Sequence, residues 1–277
     1  MTVVSTRCAQ GSPCWVSLMA HDLGTARDYY GALLGWEFTS ASSRLGPYVR
    51  AARGGEPVAW IAAVPPGMSS PVEWTTYFAA DSTDEIAQRI RACGGTVAVG
   101  PLQVGGAGRL AIASDPYGAV FGIREGLQYR PADQSGRRTG VPTRYELVTP
   151  ESSRAAAFYG SVFGRTVEWT GSSAPGGADA VLRGADRVIA AIRRAAGPLA
   201  DPPRWHTSFA VADADEAAER AVKLGGQLLA APQDTAYGRV VRLGDREGGR
   251  FSVVEPWWSG PLRGIGHRDH HRPGTCR

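Results

Sequence analysis

The 277-residue chain has few of the residues from which disulfides and zinc sites are built. It contains four cysteines, Cys8, Cys14, Cys93 and Cys276, and none of them forms a CxxC pair. Their spacing fits neither a zinc site nor a disulfide framework. We therefore expect reduced, unpaired thiols, as is usual inside cells.

Long apolar runs are also missing. No run reaches the roughly 18 to 20 residues that a membrane helix needs, and the opening segment MTVVSTRCAQGSP has no apolar core of the kind found in signal peptides. Hydrophobic residues make up 43% of the chain and charged residues 20%, which is the range of a soluble globular protein. These features predict a cytoplasmic protein with no membrane partner.

Lysine is nearly absent. Lys223 is the only lysine among 30 basic residues, and the net charge is +4. The arginines are scattered rather than arranged in a stripe, and no nucleic-acid-binding motif accompanies them. We therefore expect no nucleic-acid partner.

An internal duplication is the strongest pattern in the sequence. The segment 15–38, WVSLMAHDLGTARDYYGALLGWEF, recurs as RYELVTPESSRAAAFYGSVFGRTV over 144–167. EWTTYFAADSTDEIAQRIRACGG likewise matches WHTSFAVADADEAAERAVKLGG, and GRLAIASDPYGAVFGI matches GRVVRLGDREGGRFSV. All three pairs are offset by about 130 residues, so the chain is a tandem repeat of one unit.

Each half contains the same smaller plan twice. A strand leads into a helix, the helix ends at glycine, and about three short strands follow. The helix-start signals are Asp22, Asp81 with Ser82, Glu151 with Ser152, and Asp213. The pattern predicts an α+β fold of four βαβββ modules paired into two domains. We expect domains at 12–126 and 143–257, a linker at 127–142, and a disordered tail at 258–277.

The repeated segments DLGTARDYYGALLGWEF and ESSRAAAFYGSVFGRTV, with the element DPYGAVFGI, resemble the vicinal oxygen chelate superfamily. This superfamily includes glyoxalase I, extradiol dioxygenases and bleomycin-resistance proteins. The resemblance covers roughly residues 12 to 256 and looks closest to tandem glyoxalase-like proteins of actinobacteria. It implies paired modules that each wrap a cup-shaped cavity. The matching residues are packing and turn residues, so they carry little information about chemistry.

The resemblance also implies where a metal would bind. Relatives place a histidine or glutamine about seven residues before the helix-starting acid, and a glutamate on the last strand of a module. Here the first positions hold Trp15, Trp74, Arg144 and His206, and the glutamate positions hold Gly122 and Ser252. One histidine is too few for a divalent ion, and Arg144 would repel a cation. We expect no metal and no cofactor, with Glu146 the one nearby carboxylate that could complete a site.

We call the cavity-facing surface of the first domain the first cup. Strand alternation assigns to it Trp15, Ser17, Met19, Trp60, Trp74, Thr76, Phe78, Val120 and Gly122. Such a tryptophan-rich surface could stack a flat organic ligand. The alternative is that these rings simply fill the core.

We call the corresponding surface of the second domain the second cup. Alternation assigns to it Arg144, Glu146, Val148, His206, Ser208, Arg250 and Ser252. Arg144 and Glu146 are candidates for a buried ion pair, and His206 beside a carboxylate is a candidate acid or base near neutral pH. The alternative is a structural ion pair with a satisfied histidine.

Two functions remain open from sequence. The first is a metal-independent small-molecule-binding protein of the bleomycin-resistance type, which takes a flat or amphipathic metabolite. Its predicted ligand-binding residues are Trp15, Ser17, Trp60, Trp74, Thr76, Arg144, Ser208 and Arg250. The second is a glyoxalase-like lyase or isomerase with His206 as base, Glu146 as its partner, and Arg144 and Arg250 as a clamp on an anionic substrate. A metal-dependent enzyme of this superfamily is less favoured.

The arrangement of the modules also bears on the oligomeric state. Four modules supply two complete pairs, so a monomer suffices, and a homodimer is not excluded. The tail carries His267, His270 and His271, which could capture metal in solution but are expected to lie in a solvated segment.

Overall fold

The structure is a computed structural model. It describes residues 8–43, 46–65, 67–68, 70–104, 108–126, 138–170, 178–184, 188–195 and 202–257. The predicted tail and most of the predicted linker lie outside these residues. Within them, no helix is long and apolar enough to cross a membrane.

The first half contains two consecutive βαβββ modules. The first runs β1 (Pro13–Ala20), α1 (Leu23–Leu34), β2 (Glu37–Ser43), β3 (Gly46–Arg53) and β4 (Glu56–Ala63). The second runs β5 (Glu73–Ala79), α2 (Thr83–Ala92), β6 (Thr96–Gln103), β7 (Arg109–Ser114) and β8 (Val120–Glu125).

The second half repeats this order. Its first module runs β9 (Pro142–Thr149), α3 (Ser152–Phe163), β10 (Thr166–Trp169), β11 (Ala180–Arg183) and β12 (Val188–Arg194). Its second runs β13 (Arg204–Ala210), α4 (Ala214–Lys223), β14 (Gln227–Thr235), β15 (Gly238–Gly244) and β16 (Arg250–Pro256). The predicted α+β architecture of paired modules is confirmed.

Each half forms one eight-stranded mixed sheet. The strand orders are β2-β3-β4-β1-β5-β8-β7-β6 and β10-β11-β12-β9-β13-β16-β15-β14. The first strands of the two modules, β1 with β5 and β9 with β13, pair antiparallel at the centre. Each first strand also pairs in parallel with the last strand of its own module. The four central strands therefore form the floor of each cup.

Each helix begins directly after a residue that the sequence signals named, although Glu151 before α3 makes no capping hydrogen bond. Asp22 and Asp213 accept hydrogen bonds from backbone N–H groups in the first helical turn, as N-caps do. In α2 the residue that does so is Ser82, one position after Asp81. The start signal named Asp81 with Ser82, and the cup position of this module was counted back from Asp81, one residue too early. Gly35 ends α1 in the left-handed conformation (φ 68°), which glycine adopts without a steric penalty.

The helices lie between the two sheets, and each core is shared by the two halves. Helix α1 packs with α4 in one hydrophobic cluster, whereas α2 packs with α3 in a second cluster. Strands β5 and β13 contact each other directly at the centre, where the Thr76 and Thr207 hydroxyl oxygens are 3.2 Å apart. The opposite faces of the sheets, which form the cups, therefore point away from the shared core.

A reciprocal hydrogen-bond chain joins the two halves. Tyr30 donates to Asp245 of the other half (2.8 Å) and accepts from the Trp74 indole N–H (2.9 Å). In the matching chain, Tyr159 donates to Asp115 (3.1 Å) and accepts from Trp205 (2.9 Å). Both aspartates also accept backbone N–H groups of their own turns, DPYG and DREG. These motifs, expected to be turns, are also interdomain contact points.

Candidate functional site

Trp74 and Thr76 face the shared core and not the first cup, so the prediction that they line this cup is wrong. Trp74 is 5% exposed and packs among Tyr30, Trp36 and Phe209. The error has a simple cause. Helix α2 starts after Ser82 and not after Asp81, so a count back from Asp81 places β5 one residue out of register. Because successive side chains of a strand face opposite sides, this error assigns each side chain to the wrong face. Phe78 lies in the core for the same reason.

Strand register gives the correct equivalences between the cups. Thr75 pairs with Ser17, and His206 pairs with Glu146. The residue at the position of His206 is therefore Thr75, while Trp74 corresponds to the buried Trp205. The other equivalent positions are given with the residue of the first cup named first. They are Trp15 and Arg144, Trp60 and Ala191, Ala62 and Arg193, Tyr77 and Ser208, Gly122 and Ser252, and Arg124 and Val254.

The first cup is closed around a buried arginine. Arg124 is 2% exposed, and its guanidinium carbon lies 4.1 Å from the ring centroid of Trp60 and 5.4 Å from that of Trp15. Desolvation lowers the pKa of Arg124 to about 10, so it remains a cation at neutral pH. Cation–π contacts with desolvated rings are worth about 2 kcal/mol or more. The tryptophans of this cup thus surround a side chain of the protein itself.

Tyr77 occupies most of the remaining space in the first cup. Its ring lies so close to Gly122 that a Cβ at this position would clash with it, so the glycine is required by packing. The Tyr77 hydroxyl is 3.0 Å from the Ser17 hydroxyl. Tyr77 and Trp15 are both buried. Among the described residues, the first cup is therefore an aromatic core, which was the alternative reading of its rings.

The second cup encloses a cavity of about 240 Å³. Its wall consists of Arg144, Glu146, Arg193, His206, Ser208, Ala230, Ala231, Gln233, Thr235, Tyr237, Val240, Arg242 and Ser252. Three arginines and one carboxylate give this wall a net positive charge. The predicted cavity-facing positions Arg144, Glu146, His206, Ser208 and Ser252 do line it. Ser208, where the first cup has Tyr77, leaves part of the space.

The ion pair in the second cup differs from the expected one. Glu146 Oε2 lies 3.5 Å from Arg193 Nε, whereas the prediction paired Glu146 with Arg144. Arg144 instead stacks over Tyr237, with its guanidinium carbon 3.3 Å from the ring centroid. Arg204 reaches out of the cup to Glu73 of the first domain (3.2 Å).

Several polar atoms at this cavity are buried and have no hydrogen-bond partner among the described residues. They are Arg144 Nε, Arg193 Nε and Nη2, and Glu146 Oε1. The Arg193–Glu146 contact is therefore an ion pair that is not aligned as a hydrogen bond. A buried polar atom left without a partner costs about 1–3 kcal/mol. The cavity wall thus offers three donors and one acceptor to whatever binds there.

His206 is surrounded by positive charge. Burial lowers its pKa to about 3, and Arg242, Arg204, Arg193 and Arg250 act in the same direction. The imidazole is therefore neutral at physiological pH, where it can donate one hydrogen bond and accept another. A pKa so far from neutrality removes the reason for expecting a general acid or an efficient base here. Its catalytic role stays a prediction that the geometry does not favour.

The residues of the second cup do not fit a divalent metal. The position of one histidine ligand holds Arg144, and the glutamate position holds Ser252. Four arginines act on His206, the only imidazole at the cavity. Among the described residues, no three His, Cys, Asp or Glu side chains are grouped as metal ligands. A donor set of guanidinium groups suits anions and disfavours cations.

Sequence reasoning missed Arg124 and Arg193, although alternation could have found both. Arg124 follows Gly122 by two positions on β8, and Arg193 follows Ala191 by two on β12. The superfamily pattern predicts carboxylates on these last strands and gives no expectation for basic side chains on the same faces. Tyr237 and Arg242 belong to β15 and its turn, which the sequence pattern did not connect to the cup.

Comparisons with known proteins agree with this architecture. Residues 14–123 match the Glyoxalase/Bleomycin resistance protein/Dioxygenase superfamily, and residues 146–254 match the Glyoxalase-like domain. "Putative glyoxylase CFP32" of Mycobacterium tuberculosis is 35% identical over 252 residues, which is 89% of this chain and 95% of that protein. "Anthracycline biosynthesis protein DnrV" of Streptomyces peucetius is 35% identical over 268 residues, which is 90% and 95% of the two chains.

Solved structures extend the likeness at the level of fold. The Mn(II)-bound glyoxalase from Novosphingobium aromaticivorans aligns with a TM-score of 0.60 at 18% identity, covering 90% of this chain and 84% of that one. The 2,3-dioxygenase LapB from Pseudomonas sp. KL28 aligns at 0.59 and 12%, covering 90% and 93%. The expected resemblance is confirmed: with a glyoxalase-type match in each half and relatives 35% identical over almost their whole length, the chain belongs to the glyoxalase/bleomycin-resistance/dioxygenase superfamily.

Proposed function

We propose that this protein binds a small organic anion in the second cup without a metal ion. The ligand is a flat or amphipathic metabolite that carries a carboxylate or a comparable oxyanion. This keeps the metal-independent binding function expected from the sequence and moves its site from the first cup to the second. A cytoplasmic location remains part of the proposal, and the proposed site requires only one copy of the chain.

The observation that carries the proposal is the set of unsatisfied arginine donors at the cavity. Arg144 Nε, Arg193 Nε and Arg193 Nη2 are buried without a hydrogen-bond partner among the described residues. Charge-assisted hydrogen bonds from arginine to a carboxylate are about twice as strong as neutral ones. A bound oxyanion would satisfy these donors and offset the repulsion among the arginines that line the cavity.

The remaining polar groups define the rest of the ligand. Glu146 Oε1 also lacks a partner, so a ligand hydroxyl could donate to it. Neutral His206 and Ser208 can each either donate or accept. A cavity of about 240 Å³ lies just below the roughly 300–1,000 Å³ typical of drug-sized ligands. A compact hydroxylated aromatic or acyl acid therefore suits the chemistry and the size.

One relative supports the ligand class. DnrV is named for anthracycline biosynthesis, and intermediates of such compounds are flat, oxygen-rich aromatic molecules. The likeness extends over nearly the whole of both chains, so a related ligand class is a reasonable extension. The competing glyoxalase-like enzyme would use His206 as its base, and the low pKa of this residue weighs against that role.

Isothermal titration calorimetry tests the proposal directly. The full chain, treated with EDTA, is titrated with 2-naphthoate and with the neutral 2-naphthalenemethanol. We expect the carboxylate to bind and the alcohol to bind at least tenfold more weakly. Arg193→Gln should weaken 2-naphthoate binding about 10- to 100-fold, because one charge-assisted contact is worth about 1.5–3 kcal/mol.

Arg154→Gln serves as the control, since Arg154 is an exposed residue on α3 of the same domain. It should bind 2-naphthoate as the wild type does. Equal affinity for the acid and the alcohol, or binding that EDTA abolishes and a divalent metal restores, would reject the proposal.

A further inference from the structure

A second, smaller cavity adjoins the anion site. It has a volume of about 170 Å³, and Arg144 and Tyr237 belong to the walls of both cavities. Its other lining side chains are uncharged: Thr143 and Tyr145, and the apolar Val188, Ile189, Ala190, Ala191, Val254 and Pro256. The two volumes together fall within the range of drug-sized ligand sites.

Comparison with the first domain shows what fills the same place there. Ala191 and Val254 occupy the strand positions of Trp60 and Arg124. In the first domain these two side chains stack on each other and are largely enclosed. The second domain keeps the strands and replaces both side chains by smaller apolar ones. The second cavity is therefore the space that the stacked pair takes up in the first domain.

The division between the two cavities is a contact that an anion can break. The Arg144 guanidinium is stacked on Tyr237 at 3.3 Å, and its Nε has no hydrogen-bond partner among the described residues. A carboxylate in the main cavity would offer this guanidinium a charge-assisted hydrogen bond, which is stronger than a partly exposed cation–π contact. Rotation of Arg144 toward the carboxylate would then join the two spaces.

We propose that the second cavity receives an apolar arm of the bound anion, and that the Arg144–Tyr237 pair is a divider which the anion itself opens. This rests on the proposed function, because the anion in the main cavity is what draws Arg144 away. The ligand is then an amphipathic acid whose carboxylate and apolar arm lie on opposite sides of the divider. The arm is uncharged, since Arg144 is the only charged side chain among the described residues that line the second cavity.

A series of 4-alkylbenzoates, from benzoate itself to 4-butylbenzoate, measures the arm separately from the anion. Calorimetry on the full chain should show affinity rising roughly fourfold per added methylene as each is buried. Two variants fill the second cavity: Ala191→Leu from its floor, and Val188→Trp from its rim. Val188 is 43% exposed, so its replacement carries little risk for folding.

In both filled variants we expect the gain with chain length to disappear, while benzoate binds within about twofold of its wild-type affinity. Val222→Trp, at an equally exposed site on α4, should retain the full gain. A gain that persists in both filled variants, or a wild type that shows none, would overturn the inference while leaving the anion site intact. Failure of the wild type to bind any member of the series would reject the proposed function as well.

Tyr237→Leu tests the divider alone, because it keeps an apolar wall and removes the cation–π contact. All 4-alkylbenzoates should bind about threefold more tightly, since no stack must be broken before Arg144 turns. Unchanged or weaker binding of the whole series would contradict the role given to Arg144 and Tyr237.

Discussion

The two cups have the same strands in the same order, and they differ in which side chains they carry. At three matched positions the first cup has Trp60, Tyr77 and Arg124, and the second has Ala191, Ser208 and Val254. The larger side chains close the first cup around its own buried cation. The smaller ones leave the second cup open and leave its arginine donors unsatisfied.

This difference indicates a division of labour within a duplicated chain. The first cup encloses its charge between two indole rings and so contributes to stability. The second cup keeps buried polar atoms without hydrogen-bond partners among the described residues, which costs stability and is typical of ligand-binding sites. Both hydrophobic clusters contain residues of both halves, so each half contributes to the core of the other.

The largest contrast is expected between the two stacked arginines. Arg124→Ala should lower the free energy of unfolding by about 3 kcal/mol, because a fully buried side chain between two indole rings is lost and a cavity remains. Arg144→Ala should change it by less than about 1 kcal/mol, since this residue borders an open cavity and repels its neighbours. Urea unfolding of both variants measures these two changes in the free energy of unfolding. Equal costs would mean that the cups do not differ in the way described.

The pH dependence of stability should come partly from the second cup. Unfolded His206 takes up a proton near pH 6.5, whereas the folded protein holds its pKa at about 3. Between these values the unfolded state binds more protons, so stability present above pH 6.5 is lost as the pH falls toward 3. The slope is at most about 1.4 kcal/mol per pH unit.

His206→Gln should remove this part of the slope, and His21→Gln, at an exposed position, should not. The matched residue of the first cup, Thr75, cannot titrate. Urea midpoints measured between pH 4 and 7 decide the matter. The same slope in wild type and His206→Gln would show that the imidazole is not held neutral.

The reciprocal contacts between the halves should be equally important. Tyr30→Phe and Tyr159→Phe should each lower the free energy of unfolding by about 1–2 kcal/mol, because each leaves an indole N–H and an aspartate oxygen without this hydrogen-bond partner. Thermal unfolding of the two variants provides the comparison. A loss of stability in only one of the variants would show that the two interdomain hydrogen-bond chains are not equivalent.

The smallest effect is expected for the tryptophans that first suggested a site. Trp74→Phe and Trp15→Phe should leave the affinity for 2-naphthoate within about twofold of wild type. Trp74 faces the shared core, and Trp15 lies against Arg124. Calorimetry checks both. A tenfold loss in either variant would restore the first cup as a ligand site.

The sequence predicted the fold well because its signals repeat. The duplication, the helix caps and the terminal glycines each occur at matched places, and a pattern seen four times is hard to misread. In the second cup alternation predicted five wall residues, Arg144, Glu146, His206, Ser208 and Ser252, because Asp213 marks the start of α4. Arg250 and Val148, predicted with them, are not part of the cavity wall. In the first domain two adjacent capping residues allowed a one-residue shift, which moved Trp74 and Thr76 to the wrong face.

The chemistry of the site depended on packing that alternation cannot give. Alternation states which face a residue occupies, but not whether the space in front of it is filled. Glu146 could pair with Arg144 or Arg193 on the same face, and the choice depends on side-chain reach and on the stack with Tyr237. The pKa of His206 likewise depends on arginines from four different strands.

Transplanting the closing residues of the first cup into the second tests the central claim most directly. The double variant Ser208→Tyr/Ser252→Gly recreates the Tyr77–Gly122 contact in the second cup, and Tyr77→Ser opens the first. Calorimetric titration with 2-naphthoate, on variants shown to be folded by circular dichroism, gives the answer. The account predicts that the double variant loses binding at least 100-fold and that Tyr77→Ser binds as the wild type does. Retained binding in the double variant, together with loss in Tyr77→Ser, would place the ligand in the first cup and contradict the account.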